Sequence, residues 1–183
     1  VHVVDKATKL QTIFDRIQLV ETRLKLMIRE REIELLREAM NRNGDAPTDE
    51  ALERDPVIVQ LHDDMAFLRR INTGSEFLAD SLLERLHTIA CRKRAEDGKE
   101  CNLLTEDEVE NLSIRRGTLT DRERDVINNH VRVTYKMLSQ LPFPKKLGHV
   151  AEYAGAHHEK LDGSGYPDGR RKEELSLQSR ILA

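Results

Sequence analysis

The sequence predicts an all-helical protein, and three observations support this fold class. The 183 residues are rich in charge (34%) and poor in aromatic side chains (4%). Apolar residues recur at helical spacing over long stretches without Gly or Pro, which is the pattern of amphipathic helices. No segment alternates apolar and polar residues convincingly at period two, so we expect no sheet.

Composition and charge exclude several classes of protein. A hydrophobic fraction of 38% is too high for a disordered chain, and two cysteines are too few for a disulfide scaffold. The formal net charge of −3 argues against a nucleic-acid partner. No apolar run approaches the roughly 20 residues that a membrane span needs. We therefore expect a soluble protein of a reducing compartment, with no nucleic-acid partner and no membrane span.

The first predicted helix extends from about residue 5 to about residue 40. Six apolar residues alternate three- and four-residue spacings there, the a/d rhythm of a coiled coil: Leu10, Ile13, Ile17, Val20, Leu24 and Met27. The rhythm shifts after Met27, because Arg31 occupies the next a/d position. Two interpretations stay open: a helix that faces the chain's own core, or the seam of an intermolecular coiled coil. On the second, we expect a homodimer through this helical segment.

Further helices follow a linker at residues 41–48 that contains Gly and Pro. A helical hairpin is predicted over about residues 48–95, with Thr48 as its first capping residue. A short helix within residues 99–113 begins at the capping residue Thr105, which precedes three acidic residues. Ser, Thr, Asp and Asn are the preferred N-caps, and acidic side chains favour the first turn.

Three of the seven histidines lie where metal chemistry is plausible. His130 falls on the predicted apolar face of its helix, together with Val126 and Met137. His157 and His158 are adjacent on a further predicted helix, so their side chains point about 100° apart and can straddle a site. Imidazole is the commonest protein ligand of first-row transition metals, which makes Fe, Mn and Zn the candidates. The alternative is that all three are ordinary core or surface histidines.

A glycine-rich loop follows the paired histidines. Residues 162–169 read DGSGYPDG, in which three glycines and a proline surround Tyr166. One glycine is enough to end a helix, so this density indicates a backbone held in a special shape. Such a loop would expose Tyr166 to a ligand or a partner. A surface turn that merely ends the helix is the alternative.

The stretch HHEKLDGSGYP at residues 157–167 resembles the signature of the HD-GYP family, a bacterial branch of the HD metallohydrolases. The resemblance extends over residues 111–183 and includes the segment around His130. The front half resembles, less specifically, a subgroup with a long helical insertion. The resemblance implies an all-helical bundle in which residues 1–100 form a helical insertion with a coiled-coil-like first helix. Residues 101–183 would then be the C-terminal half of the catalytic domain.

The resemblance also implies a function and a set of site residues. Members of the family hydrolyse cyclic di-GMP to linear pGpG or GMP at a di- or trinuclear centre of divalent metal, often iron, with Mn or Zn as alternatives. The implied metal ligands are His130, His157 and His158. The implied substrate loop, which in some members also contacts GGDEF-domain partners, comprises Asp162, Gly163, Gly165, Tyr166, Pro167 and Arg180.

The resemblance places the family's His-Asp pair and Lys before Val1, and a late Asp ligand after Ala183. We therefore expect these 183 residues alone to bind metal weakly and to lack turnover, and we assign no catalytic residue among them. Two other functions stay open beside the enzyme. One is a catalytically degenerate signalling module that acts through dimerisation and through the surface around Gly165, Tyr166 and Pro167 (the GYP surface). The other is a purely structural helical bundle.

Overall fold

The structure is a computed structural model that describes residues 6–42, 46–96 and 98–182. It forms two compact units, Val1–Thr120 and Asp121–Ala183. In chain order, the described elements of the first unit are α1 (Ile17–Asn41), α2 (Asp49–Glu53), α3 (Pro56–Asn72), α4 (Asp80–Ala90), β1 (Lys93–Glu96), β2 (Lys99–Asn102) and α5 (Glu106–Leu112). Those of the second unit are α6 (Asp121–Ser139), α7 (Val150–Gly155) and α8 (Leu177–Leu182), with short 3₁₀ turns at Lys145–Leu147 and Lys172–Glu174.

The predicted all-helical fold class is confirmed, and eight helices dominate the described residues. None of these helices is both long and apolar enough to cross a lipid bilayer. The boundary between the units follows residue 120 rather than residue 100, because α5 packs against α3 and α4 of the first unit. The assignment of residues 1–100 as an insertion stays a prediction.

The first helix begins at Ile17, so the prediction of a helix from about residue 5 is wrong for residues 6–16. This segment is held by a distant residue instead of by helical hydrogen bonds. The amide of Leu10 donates to Oδ1 of Asn72 (2.8 Å), and the amide of Lys9 donates to the Asn72 carbonyl (2.8 Å). Asp15 accepts the amide hydrogen of Ile17 (3.0 Å), the first residue of the helix, and the N-cap residue Arg16 forms no side-chain cap.

The apolar residues that were predicted to form a coiled-coil seam on α1 pack inside the first unit. Ile17, Val20 and Leu24 are buried in the hydrophobic core of the first unit, where α1 packs against α3. Ile13, in contrast, is exposed and lies before the helix. The interpretation of these positions as a core-facing helix is therefore the one that the structure supports.

The hairpin of β1 and β2 contradicts the expectation of no sheet. The two strands pair antiparallel, from Lys93 opposite Asn102 to Glu96 opposite Lys99. Most of their side chains are exposed on both faces, so the strands lack the alternation that marks a half-buried strand. A sequence signal did exist in the Asp97-Gly98 dipeptide, which is a favoured two-residue hairpin turn.

A buried lysine gives the first unit a testable pH dependence. The side chain of Lys9 is 1% exposed, and its Nζ donates to the carbonyl of Leu112 (3.1 Å). Burial disfavours the charged ammonium and lowers the pKa of Lys9 from 10.5 to about 8. Between these two values the unfolded chain binds more protons than the folded one, so the free energy of unfolding rises with pH there. Below pH 8 Lys9 is protonated in both the folded and the unfolded chain, so it no longer makes the free energy of unfolding depend on pH.

We expect Lys9→Met to flatten that rise, because Met fills a similar volume without an ionisable group. The difference in unfolding free energy between wild type and Lys9→Met should change by up to about 3 kcal/mol from pH 7 to pH 10.5, at about 1.4 kcal/mol per pKa unit. Urea unfolding at a series of pH values measures it. Parallel stability curves for the two proteins would contradict a depressed pKa at Lys9.

Candidate metal centre

The second unit brings the three predicted metal ligands together. His130 lies on α6, and His157 and His158 lie in the turn that follows α7. α6 and α7 pack against each other, and the approach is close at Gly155, where an added Cβ would lie 3.0 Å from the Tyr135 ring. The packing of these two helices therefore sets the separation of His130 from the paired histidines.

Two predictions about the placement of the histidines are wrong. α7 ends at Gly155, so His157 and His158 are not helical; the amide of Glu159 donates to the Ala156 carbonyl (3.0 Å) and continues the chain as a turn. His130 is exposed rather than part of a buried apolar face.

The predicted apolar stripe of α6 is only partly buried. Val126 and Met137 are exposed, and Val131 is the buried residue of the helix. The side of α6 that carries His130 is thus open to a ligand.

The three imidazoles form a compact cluster. One ligand nitrogen from each of His130, His157 and His158 lies within 4.8 Å of the other two. The ring centroids are separated by 4.0 Å for His157 and His158, 5.1 Å for His130 and His158, and 5.5 Å for His130 and His157. The cluster is the one group of three metal-ligating side chains found among the described residues.

Hydrogen bonds to backbone carbonyls orient two of these rings. Nδ1 of His157 lies 2.6 Å from the carbonyl oxygen of Ala154, and Nδ1 of His130 contacts the carbonyl oxygen of Ile127. A carbonyl only accepts, so in the neutral ring Nδ1 carries the hydrogen and Nε2 keeps its lone pair. A ligand histidine is typically held in this way by an acceptor at its second nitrogen. The donor set therefore fits a divalent transition metal.

His158 is favoured in the neutral form that a metal ligand requires. Burial lowers the pKa of His158, and the neighbouring His157 and His130 lower it further. Tyr166 stacks on the His158 ring with centroids 4.7 Å apart, and burial raises the pKa of the Tyr166 phenol. Tyr166 is thus a protonated hydrogen-bond donor at the edge of the histidine cluster.

Glu159 fixes the loop, a role that the sequence alone did not reveal. Its buried carboxylate accepts the amide hydrogens of Asp168 and Arg170, at 2.8 Å each. The amide of Tyr166 also donates to the carbonyl of His158 (3.1 Å). The one feature of the sequence that could have identified Glu159 is its position directly after the paired histidines. The loop is therefore folded back onto the turn that carries the histidines.

The glycines and Asp162 shape the start of the loop. Oδ1 of Asp162 accepts hydrogen bonds from the amide and hydroxyl of Ser164 (2.9 and 2.7 Å), which lower the pKa of Asp162. Gly163 has a φ of +80°, a conformation that favours glycine. An added Cβ at Gly165 would lie 2.5 Å from Cα of Glu159. The unusual glycine density thus has a structural cause, as the sequence predicted.

A cavity of about 380 Å³ lies beside the loop. Its lining includes Arg132, Tyr135, Glu152, Pro167, Asp168 and Arg170. Arg132 donates to the carbonyl of Pro167 (3.3 Å), and Arg170 pairs with Asp168 (2.9 Å). Two guanidinium groups therefore stand beside the predicted substrate loop, although sequence analysis singled out neither.

Arg180 does not join this group. It lies on α8, and within residues 98–182 its side chain forms no hydrogen bond to the loop. Its Nε is buried without a hydrogen-bond partner among the described residues. The role of Arg180 beside the substrate stays a prediction.

Comparison with known families finds a match in the C-terminal part of the chain. Residues 106–183 match the family model described as the HD domain. This segment is similar to HD domains. The HD segment begins at α5 and contains the three clustered histidines and the loop. No solved structure matches the chain.

The chain is also similar to proteins named as phosphodiesterases. The chain is 44% identical over 67 residues to 3′3′-cGAMP-specific phosphodiesterase 3 of Vibrio cholerae, covering 36% of this chain and 14% of that protein. It is 38% identical over 74 residues to the cyclic di-GMP phosphodiesterase response regulator RpfG of Xanthomonas campestris pv. campestris, covering 40% and 19%. It is 36% identical over 73 residues to a cyclic di-GMP phosphodiesterase of Thermotoga maritima, covering 39% and 19%.

These alignments span less than a fifth of the length of each relative. Together with the family match over residues 106–183, they confirm the predicted resemblance to the HD phosphodiesterases.

Proposed function

We propose that the protein is a metal-dependent phosphodiesterase that hydrolyses cyclic di-GMP to linear pGpG or GMP in the bacterial cytoplasm. The convergence of His130, His157 and His158, with ligand nitrogens within 4.8 Å of one another, is the observation that carries the proposal. The names of two relatives, from Xanthomonas and Thermotoga, supply the substrate. Iron is the metal we propose, in a di- or trinuclear centre.

The residues have separate tasks in this proposal. The three imidazoles would hold metal, which when bound polarises a phosphoryl oxygen and lowers the pKa of water so that hydroxide forms near neutral pH. Arg132 and Arg170 stand at the neighbouring cavity, where guanidinium groups suit phosphate oxygens. Tyr166 would donate a hydrogen bond from its phenol. Glu159 keeps the loop in place through the two amides it binds.

The loop offers a second proposal, which concerns partners. Asp162, Ser164 and Asp168 are exposed on the loop that carries Tyr166. We propose this surface as the contact for GGDEF-domain proteins, as the family resemblance implies.

The test is hydrolysis by the full-length protein, purified without oxygen and analysed for metal content. We expect chelator-sensitive hydrolysis of cyclic di-GMP that Fe²⁺ restores, with Mn²⁺ and Zn²⁺ as comparisons. The same assay with 3′3′-cGAMP distinguishes the substrate named for the Vibrio relative. A preference for 3′3′-cGAMP would overturn the proposed substrate. Bound metal without hydrolysis of either compound would overturn the enzyme and support a signalling module.

A further inference from the structure

A second apolar stripe runs along the solvent side of α1. It comprises Leu19, Leu26, Ile33 and Met40, which are 45%, 58%, 46% and 74% exposed. We call this set the outer stripe. Its members are seven residues apart, which is two helical turns less about 20°, so they lie on one side of the helix. Val20 and Leu24, which face the core, lie on the opposite side.

The outer stripe has the spacing of a coiled-coil a position. The d positions between its members are Thr22, Arg29 and Leu36, all of them exposed. Packing of a surface helix on its own core does not explain large exposed apolar residues at every seventh position. A row of such residues marks an interaction site. Four such residues over most of the 25-residue helix are unlike single, scattered apolar residues.

The charges beside the stripe indicate what covers it. Lys25 and Glu32 occupy g positions, and Glu30 and Arg37 occupy e positions. In a parallel two-stranded coiled coil, a g residue faces the e residue five positions later on the other helix. The two pairs are then Lys25 with Glu30 and Glu32 with Arg37, and both are of opposite charge. Within the described ranges, Lys25, Glu30 and Arg37 form no ion pair of their own.

We propose that the outer stripe binds the same stripe of a second copy, so that two α1 helices form a parallel, in-register coiled coil. The two-fold axis of such a dimer makes each charge pair twice and sets each apolar residue against its own counterpart. An antiparallel arrangement would instead set the stripe residues against d positions, and two of the three d residues, Thr22 and Arg29, are polar. The charges and the apolar residues thus favour the same orientation.

This interface differs from the homodimer predicted from the sequence. That prediction used Ile17, Val20 and Leu24, which the core of the first unit already buries. Arg29 is the least suitable residue of the proposed interface, but its guanidinium pairs with Glu32 (2.5 Å) at the flank of the stripe. The proposal does not depend on the phosphodiesterase activity, so each is tested separately.

Crosslinking tests the orientation directly. Thr22→Cys is introduced into the full-length protein in which Cys91→Ser and Cys101→Ser remove the native thiols. In a parallel, in-register dimer the two position-22 side chains meet, so oxidation should link them. The control is Glu34→Cys, an exposed residue of α1 that lies away from the stripe. We expect a linked fraction about tenfold above the control. A wild type that sediments as a monomer, or equal linking at positions 22 and 34, would overturn the proposal.

Charge reversal tests the pairing. Lys25→Glu should raise the dimer dissociation constant about tenfold, since two exposed pairs become repulsive and each contributes modestly. The double variant Lys25→Glu/Glu30→Lys should restore wild-type affinity. Leu26→Glu should dissociate the dimer, and Val59→Glu, at a similarly exposed apolar position on α3, should not. Failure of the double variant to restore affinity would refute the parallel register.

Discussion

Replacing His158 by Ala is expected to remove bound metal and to lower the rate of the proposed hydrolysis of cyclic di-GMP by at least about 100-fold. Even removal of a residue that only supports a metal ligand costs 10–100-fold, and His158 lies at the centre of the cluster, 4.0 Å from His157 and 5.1 Å from His130 between ring centroids. Metal analysis of the purified full-length protein and a hydrolysis assay measure the two effects. The chain should remain folded, because His158 is only partly buried.

The matched control is His149→Ala in the same unit. His149 is exposed and contacts Glu152 (3.1 Å), and it lies outside the cluster. This variant should keep both metal and activity. If the two variants lose metal equally, or if His158→Ala keeps the full metal content, the assignment of His158 as a ligand is wrong.

Local signals in the sequence predicted the helices well. Thr105 accepts the amide hydrogen of Glu108 (3.2 Å), and the Glu108 side chain accepts that of Thr105 (2.8 Å). This reciprocal pair closes within four residues, and such a pair can be read directly from a sequence. Thr48 likewise caps α2 by accepting the amide hydrogen of Ala51. Where the deciding interactions are local, prediction and structure agree.

Distant interactions decided the parts that the sequence did not predict. Residues 6–16 have a helical apolar pattern, but Asn72 binds the amides of Lys9 and Leu10 and holds the segment out of a helix. The apolar pattern of the segment cannot predict a hydrogen-bond partner, Asn72, that lies more than 60 residues away. The exposed hairpin of β1 and β2 was missed for another reason, because its strands bury too little to show a pattern.

The candidate site shows the same division between local and distant interactions. The residue types and the motif identified His130, His157 and His158 as a group, and the structure brings them together. Their mutual distances depend on how α6 packs against α7, which the sequence does not express. The function of Glu159 was hidden for this reason, since its two partners become neighbours only when the loop folds back.

Gly165→Ala is expected to lower activity about 100-fold while leaving the three histidines in place. The added Cβ would lie 2.5 Å from Cα and 2.6 Å from the carbonyl carbon of Glu159, and it would also contact the amide nitrogen of Lys160. All three are backbone atoms, which cannot turn aside as a flexible side chain can. The loop must therefore move away from the turn that carries the histidines.

That movement displaces Tyr166, which stacks on His158 and donates its amide hydrogen to the His158 carbonyl. A displacement of about 1 Å can cost about 100-fold in rate. Overpacking of this kind also costs about 1–3 kcal/mol of stability. Metal content should stay close to that of the wild type, because no ligand is removed.

Gly148→Ala provides the matched control for this change. The nearest atom to its added Cβ is the carbonyl oxygen of Lys145 at 3.5 Å, an ordinary contact distance, and its backbone conformation suits any residue. Measurements of kcat/KM, metal content and urea unfolding for both variants separate an effect on the loop from a general loss of folding. Equal kcat/KM for the two variants would show that the position of the loop does not matter for hydrolysis. Loss of metal in Gly165→Ala would show instead that the loop holds the histidine cluster together.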